Sequence, residues 1–354
     1  FRLRAAEQIA DASLLPLSGL VDKSFLRRTR SGRYQIHELL RQYASEKLDE
    51  TPAERERTRD RHADYYLTFL RQRAEELKGS QGHTALQEIS TDFENIRAAW
   101  NRAIAQGDFA ALAKSADGLL LFSEYGRDPL DGLSLIQRAR VPLEVERHIA
   151  DEGKNKTASE LVMARFLRAE GYLSHLLSQI DRGQELLEAS VSILRQIKPV
   201  AKSDLALSLY WLSEICLIQA KFQDVQQHAG ESLALFEELG DYWGMGVVLK
   251  LQGHIFTYQG EYHKAHQIFL ECLRYFEQRH EISYRANVRA FLGIIARLRG
   301  EYPQAKGFLE EALETMGDFG DRAHTAYVLR ELGYLAIAVG DYARAEATMR
   351  EGAE

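Results

Sequence analysis

Phe291-Leu292-Gly293-Ile294-Ile295-Ala296-Arg297-Leu298-Arg299-Gly300-Glu301-Tyr302-Pro303-Gln304-Ala305 has the pattern of a helix end, a turn at Gly300 and the start of a second helix. Moving out from it by 40 residues in either direction, Gly293 recurs as Gly253 and Gly333, and Gly300 as Gly260 and Gly340. Glu301-Tyr302 recurs as Glu261-Tyr262 and Asp341-Tyr342, and Ala305 as Ala265 and Ala345. Four positions therefore return three times in one phase. A weaker copy upstream has Ser213, Ala220, Phe222 and Val225, and another, shifted by 42, has Gly171, Ser178, Ile180 and Gly183. A fixed period of this length marks an array of small structural units.

Each recurring residue type has a physical job. The first Gly and the Ala, with little or no side chain, let two helices approach closely. The second Gly ends the first helix, because it enters the left-handed region without a Cβ penalty. The aromatic after the turn plugs the gap between the helices. Apolar residues fall at helical spacing on both sides of the turn: Leu249, Gly253 and Phe256, then Ala265, Ile268, Phe269 and Cys272. Gly240-Asp241 and Gly320-Asp321 read as a helix stop followed by an N-cap, the boundary between units.

The pattern resembles the tetratricopeptide repeat, on Phe291-Leu292-Gly293, Glu331-Leu332-Gly333 and Arg299-Gly300-Glu301-Tyr302. That family repeats every 34 residues, so a 40-residue unit is expected to carry extra helical turns. The resemblance covers about 157–354. It implies an all-α, right-handed superhelix of tetratricopeptide-like hairpins, in which neighbours cover one another's apolar faces and the first helix of each hairpin lines a concave groove. On that pattern the groove-facing candidates are Tyr210, Glu214, Lys250, His254, Tyr258, Asn287, Arg297, Arg330 and Tyr334. Aromatic, basic and amide groups together suit a protein segment, a peptide or a polar small molecule. Family members that grip acidic C-terminal tails use Lys, Asn and Arg in the groove. His254, Ile294 and Glu331 stand at matching positions here, which argues against that partner.

Residues 13–50 read differently. Phe25-Leu26-Arg27-Arg28 and Arg33-Tyr34-Gln35-Ile36 flank a turn at Arg30-Ser31-Gly32, which predicts a β-hairpin. His37-Glu38-Leu39-Leu40-Arg41 then opens an amphipathic helix. Together with Leu20-Val21-Asp22-Lys23-Ser24-Phe25-Leu26, these residues resemble the winged helix of signal-transducing ATPases with numerous domains, a group that includes NB-ARC-type and many bacterial regulators. In that family a Met-His-Asp-like motif reaches the β-phosphate of ADP. Ile36-His37-Glu38 stands at this point, so the resemblance implies a nucleotide-sensing role for His37 toward an NTPase domain supplied in cis. An imidazole N–H is a suitable donor for such a contact.

The expected organisation is a partial winged helix over 1–50, a helical connector over 51–156 and the repeat array over 157–354. The connector contains Glu94-Asn95-Ile96-Arg97-Ala98-Ala99, a segment similar to one found between winged helix and repeats in related bacterial regulators. Tyr66 and Trp100 are expected in its core, and the polar run 151–157 as a loop.

Composition narrows the function. The chain has 354 residues, 45% hydrophobic and 27% charged, with a formal net charge of -7. Such a balance argues against a dedicated nucleic-acid binder, although Arg27, Arg28, Arg30 and Arg33 cluster at the proposed wing. The 6 prolines fit a helical chain. The 2 cysteines, Cys216 and Cys272, are expected as buried apolar residues, a usage that suits a reducing, cytoplasmic setting. No apolar run reaches the ~20 residues of a membrane helix. No signal peptide is visible. The chain begins at Phe1 and stops within a helical pattern, so it reads as a piece of a longer protein.

No enzyme motif is present. There is no phosphate loop, since Gly153-Lys154 lacks the upstream Gly, and no His-Glu-x-x-His or Gly-x-Ser-x-Gly. His263, His266 and His254 are better read as polar surface than as a metal site. The expectation is a non-enzymatic, ligand-sensing and autoinhibitory region of a signal-transducing NTPase. It carries no cofactor itself; ADP or ATP would bind the missing domain, and activation would assemble oligomers. The alternatives are a DNA-binding regulator with a repeat sensor and a passive scaffold.

Overall fold

A computed structural model describes residues 1–125, 129–149, 156–197, 199–278, 281–319 and 322–353. The array consists of five helical hairpins: α8 (Lys156–Leu176) with α9 (Ile180–Gln196), α10 (Lys202–Ile218) with α11 (Phe222–Leu239), α12 (Tyr242–Tyr258) with α13 (Tyr262–Gln278), α14 (Ile282–Leu298) with α15 (Tyr302–Phe319), and α16 (Arg322–Ala338) with α17 (Tyr342–Glu351). The first helices of successive hairpins touch one another and form the inner layer.

One turn geometry closes all five hairpins. At Gly300 the amide bonds back to the Arg297 carbonyl at 3.0 Å, and the Glu301 amide to the Ala296 carbonyl at 2.8 Å. This pair of bonds satisfies the last carbonyls of the helix and requires a left-handed residue at the turn. Gly260, Gly300 and Gly340 take φ of 74°, 78° and 82°. Ser178 and Ala220 adopt the same conformation at the two weaker copies, with φ of 62° and 56°, at the cost of a Cβ.

The close approach expected at the first Gly is present. A Cβ at Gly253 would lie 2.7 Å from the Phe269 ring, at Gly293 2.7 Å from Leu309, and at Gly333 2.7 Å from Met349. In each hairpin the knob lies sixteen positions downstream on the partner helix. Ala265 and Ala305 are fully buried beside it. Three hairpins share a further bond: Ser190 Oγ donates to the Ala164 carbonyl at 2.8 Å, Ser232 Oγ to Ala206 at 2.7 Å, and Cys272 Sγ to Gly246 at 3.1 Å. Tyr262 and Tyr302 pack partly into the core, whereas Tyr342 is 71% exposed. At the unit boundary, Gly240 has φ 64° and Asp241 caps α12 by accepting from the Gly244 amide. Glu281 caps α14 in the same phase. The corresponding pair Gly320-Asp321, and residues 151–155 of the loop expected over 151–157, lie outside the described residues, while Lys156 and Thr157, expected in that loop, already form the first turn of α8.

Before the array come α4 (Pro52–Leu77), α5 (Gly82–Gln106), α6 (Phe109–Glu124) and α7 (Pro129–Ile149). Gly107 ends α5 at φ 72°, and Asp108 caps α6. Trp100 and Tyr66 lie in the core as expected, and the Trp100 indole donates to the Leu135 carbonyl at 2.9 Å. These helices join the array through one contiguous core. Its polar rivet is the fully buried Arg168, which pairs with Asp117 of α6 at 2.6 Å and Asp204 of α10 at 2.9 Å; Arg165 adds a bidentate pair to Asp204.

The N-terminal segment is helix, helix, hairpin, helix: α1 (Leu3–Ala10), α2 (Leu14–Asp22), β1 (Leu26–Arg28) paired antiparallel with β2 (Tyr34–Ile36), and α3 (Glu38–Asp49). Its core is only Ala6, Leu17, Leu26 and Tyr34 with a few partly buried neighbours. Arg33 docks it on α5 through a bidentate pair with Asp92. Helix α3 buries no residue, and Leu39 and Tyr43 are 69% and 59% exposed. Its apolar stripe is therefore left open. Among the described residues no helix is long and apolar enough to cross a membrane.

Candidate ligand-binding groove

The 40-residue period places equivalent residues in register along the inner layer. Tyr210, Lys250, Ala290 and Arg330 share one position, and Glu214, His254, Ile294 and Tyr334 share the position one turn later. Residues four apart lie on one face of a helix, so these two rows form one strip across α10, α12, α14 and α16.

At the α10–α12 end the strip is a network. The Tyr210 hydroxyl donates to Glu214 at 3.0 Å. Lys250 Nζ lies 3.6 Å from the same carboxylate and 5.2 Å from the centre of the Tyr284 ring. The Tyr284 hydroxyl donates to Glu124 at 3.1 Å. Glu124 belongs to α6, so this bond spans 160 residues and sets the end of α6 against the start of α14. Lys78, after α4, sits 4.8 Å over the Trp243 ring at the start of α12 and reinforces the contact.

Burial governs the ionisation of this network. It pushes the Glu124 carboxyl up to about 7, against the pull of Lys250. Burial also disfavours the charged form of Glu214, but Lys250, His254 and the Tyr210 hydroxyl together hold it below the usual carboxylate range. His254 is driven down to about 4 by burial and by Lys250, and burial lowers His175 as well. The hydroxyls of Tyr172, Tyr210 and Tyr284 are held protonated by burial and by the nearby carboxylates. The two histidines and the tyrosines are therefore neutral at pH 7 and serve as hydrogen-bonding groups.

The α14–α16 end has the opposite balance. Arg297 pairs with Glu331 at 3.0 Å and Arg330 reaches it at 3.4 Å, two cations on one carboxylate. Arg297 also covers the Tyr334 ring at 5.6 Å, and Arg330 the Tyr327 ring at 4.7 Å. Between the two ends, His254 packs on Phe291 at 4.2 Å.

The structure thus brings Tyr210, Glu214, Lys250 and His254 together, and separately Arg297, Arg330 and Tyr334. Tyr210 is 1% and Asn287 8% exposed, so both belong to the wall of the groove. Tyr258, 71% exposed, stands at the C-terminal end of α12. His37 caps α3: its Nδ1 accepts from the Leu39 amide at 3.3 Å, which leaves the ring proton on the exposed Nε2. Of the four arginines around the β1–β2 hairpin, Arg33 is committed to Asp92, while Arg27, Arg28 and Arg30 are exposed. His263 bonds Gln267, and among the described residues no three His, Cys, Asp or Glu side chains converge to hold a metal ion. Both thiols are buried, which pushes Cys216 up to about 11.

Sequence reasoning missed Glu124, Tyr172 and Tyr284. Tyr172 stands 42 residues before Glu214, the spacing of the weaker copy, and that signal was available. Glu124 lies outside the array and had none.

No protein-family model matches the sequence, and no curated protein matches it. Solved structures do. A Rap protein complexed with competence and sporulation factor aligns with a TM-score of 0.60 at 12% identity, over 82% of this chain and 75% of that one. The Rap conjugation gene regulator of plasmid pLS20, complexed with the Phr* peptide, aligns at 0.52 and 10% identity, over 82% and 94%. BtubC from P. vanneervenii aligns at 0.50 and 15%, over 64% and 90%. At these identities the likeness concerns the fold: an all-α superhelix of tetratricopeptide-like hairpins.

Proposed function

We propose that this chain is the recognition and autoinhibitory region of a signal-transducing NTPase, and that its concave strip binds a peptide or a segment of a protein. The observation that carries the recognition half is the convergence of polar and aromatic side chains from consecutive inner helices: Tyr210 and Glu214 of α10, Lys250 and His254 of α12, Tyr284 of α14. A superhelix held together by apolar faces has no stability need for a polar network on its inner strip, because buried polar groups cost more than they return unless paired. Two similarly folded proteins were solved as complexes, one with competence and sporulation factor and one with the Phr* peptide, which supports a peptide as occupant.

The nucleotide half rests on His37 and its neighbours. The exposed Nε2–H of an N-cap imidazole is a donor that a phosphate oxygen of an adjoining NTPase domain can accept. Ligand in the groove would shift the N-terminal segment, loosen that contact and permit nucleotide exchange. In the full-length protein, His37→Ala should release ADP faster and raise activity without ligand. Unchanged ADP retention and basal activity would remove the nucleotide link and leave a binding scaffold. For the DNA-binding alternative, the pairing of Arg33 with Asp92 takes one of four wing cations out of reach of phosphates.

A further inference from the structure

Among the polar atoms buried without a hydrogen-bond partner are Glu124 Oε2, His175 Nδ1 and His254 Nε2. They come from α6, α8 and α12, and the interactions of Glu124 and Glu214 place them at one end of the groove. A buried polar atom without a partner costs about 1–3 kcal/mol, so three at one end of one groove mark a place that is complete only when something else is there. The charges say what. Among the described residues the network has two carboxylates, Glu124 and Glu214, and one lysine. Lys250 is committed to Glu214 at 3.6 Å and to the Tyr284 face. Glu124 Oε1 receives the Tyr284 hydroxyl, the Tyr172 hydroxyl also lies against the carboxylate, and Oε2 has no hydrogen-bond partner of good geometry. His175 and His254 are neutral and supply no cation; His324 of α16 is close enough to favour the Glu124 carboxylate, less strongly than Lys250 does. The site stays partly open: the Glu214 and Lys250 side chains are 18% and 13% exposed, and Glu124 is partly accessible.

We propose that this end of the groove is a subsite for a cationic group, an arginine or lysine side chain or a primary amine of the ligand, bound by Glu124 Oε2 beside the Tyr172 ring. The proposal rests on the groove being the ligand site. A carboxylate flanked by tyrosines is the arrangement that selects a cation, because the carboxylate gives a charge-assisted hydrogen bond and the aromatic face adds attraction once water is displaced. Lys250 over Tyr284 already shows one ring of this cluster taking a cation. Burial of Glu124 holds its carboxyl near 7, as expected of a carboxylate short of a positive partner. The other end of the strip, with Arg297 and Arg330 sharing Glu331, carries the opposite excess, so a ligand with a basic and an acidic group would bind in one direction only.

The test uses the chain as it is, at pH 8, where Glu124 is ionised. N-acetyl-arginine amide and its neutral isostere N-acetyl-citrulline amide are titrated and followed by tryptophan fluorescence, since Trp211 packs on Tyr172. The arginine probe should bind at least about tenfold tighter than citrulline. Glu124→Gln should erase the difference, and Arg297→Gln, at the other end, should keep it. Equal affinities, or no saturable arginine binding to the unaltered chain, would overturn the subsite whatever the variants do. If arginine selectivity holds while peptides of every sequence fail to bind, the subsite stands and the peptide-receptor reading falls. Peptide binding without cation selectivity removes the subsite alone.

Discussion

At Glu124 a carboxylate is held among tyrosines, one oxygen bonded to Tyr284, the Tyr172 hydroxyl close by, and the other oxygen without a well-formed hydrogen bond. Its folded-state pKa, about 7, lies above the ordinary 4.5 because burial penalises the charge. A raised pKa means that the folded state binds the proton more tightly than the unfolded chain does. The associated stability is therefore complete below about pH 4.5 and lost as the pH rises through 7. Glu124→Gln, which cannot ionise, should escape that loss. Its stability relative to the unaltered protein should rise between pH 4.5 and 8 by at most about 3 kcal/mol, less to the extent that water reaches the site. Urea unfolding at the two pH values checks this; a difference independent of pH would show that Glu124 is solvated like a surface residue. Residues of this kind were the least legible in the sequence. Tyr210, Glu214, Lys250 and His254 could be nominated because the repeat fixes which face they take. Glu124 could not, because its partner lies 160 positions away.

In the hairpin, two glycines seven residues apart do different work, and substitution separates them. Gly293 is needed for space: a Cβ would meet Leu309 at 2.7 Å. Gly300 is needed for conformation: it has open space around it and φ of 78°. Asparagine tolerates the left-handed region but still carries a side chain. Gly300→Asn should therefore cost under about 1 kcal/mol, whereas Gly293→Asn, forced against the partner helix, should cost about 3 kcal/mol or more. Similar losses in urea unfolding would mean that the two positions are not distinct. The elements were legible because such positions admit few residue types and so repeat visibly. The Ser190, Ser232 and Cys272 bonds were not read, since a hydroxyl or thiol on a helix gives no sign that it will reach a backbone carbonyl. Capping by Glu281 was missed for a related reason: Glu is an uncommon N-cap, and only its phase with Asp241 marks it.

Across the whole molecule, α4–α7 and the array as far as α14 share one core, α14–α16 hold a second, and the end of α6 closes on the start of α14. The repeat period foretold a superhelix but not this closure, which depends on where a non-repeating segment comes to rest. It also makes the inner strip a partly enclosed site with an acidic and a basic end. The hairpin and flanking helices of residues 1–50 were legible from turn chemistry and alternation, while the open apolar stripe of α3 was not, because amphipathicity does not name the surface it will meet. The role proposed for the inner strip is recognition of a peptide. A positional-scanning hexapeptide library, bound in parallel to the chain and to a Lys250→Gln, Arg330→Gln double variant of unchanged thermal stability, tests it most directly. Defined side-chain preferences are expected with the unaltered chain, and an affinity at least about tenfold weaker with the double variant. Equal binding and equal preferences in the two would contradict it.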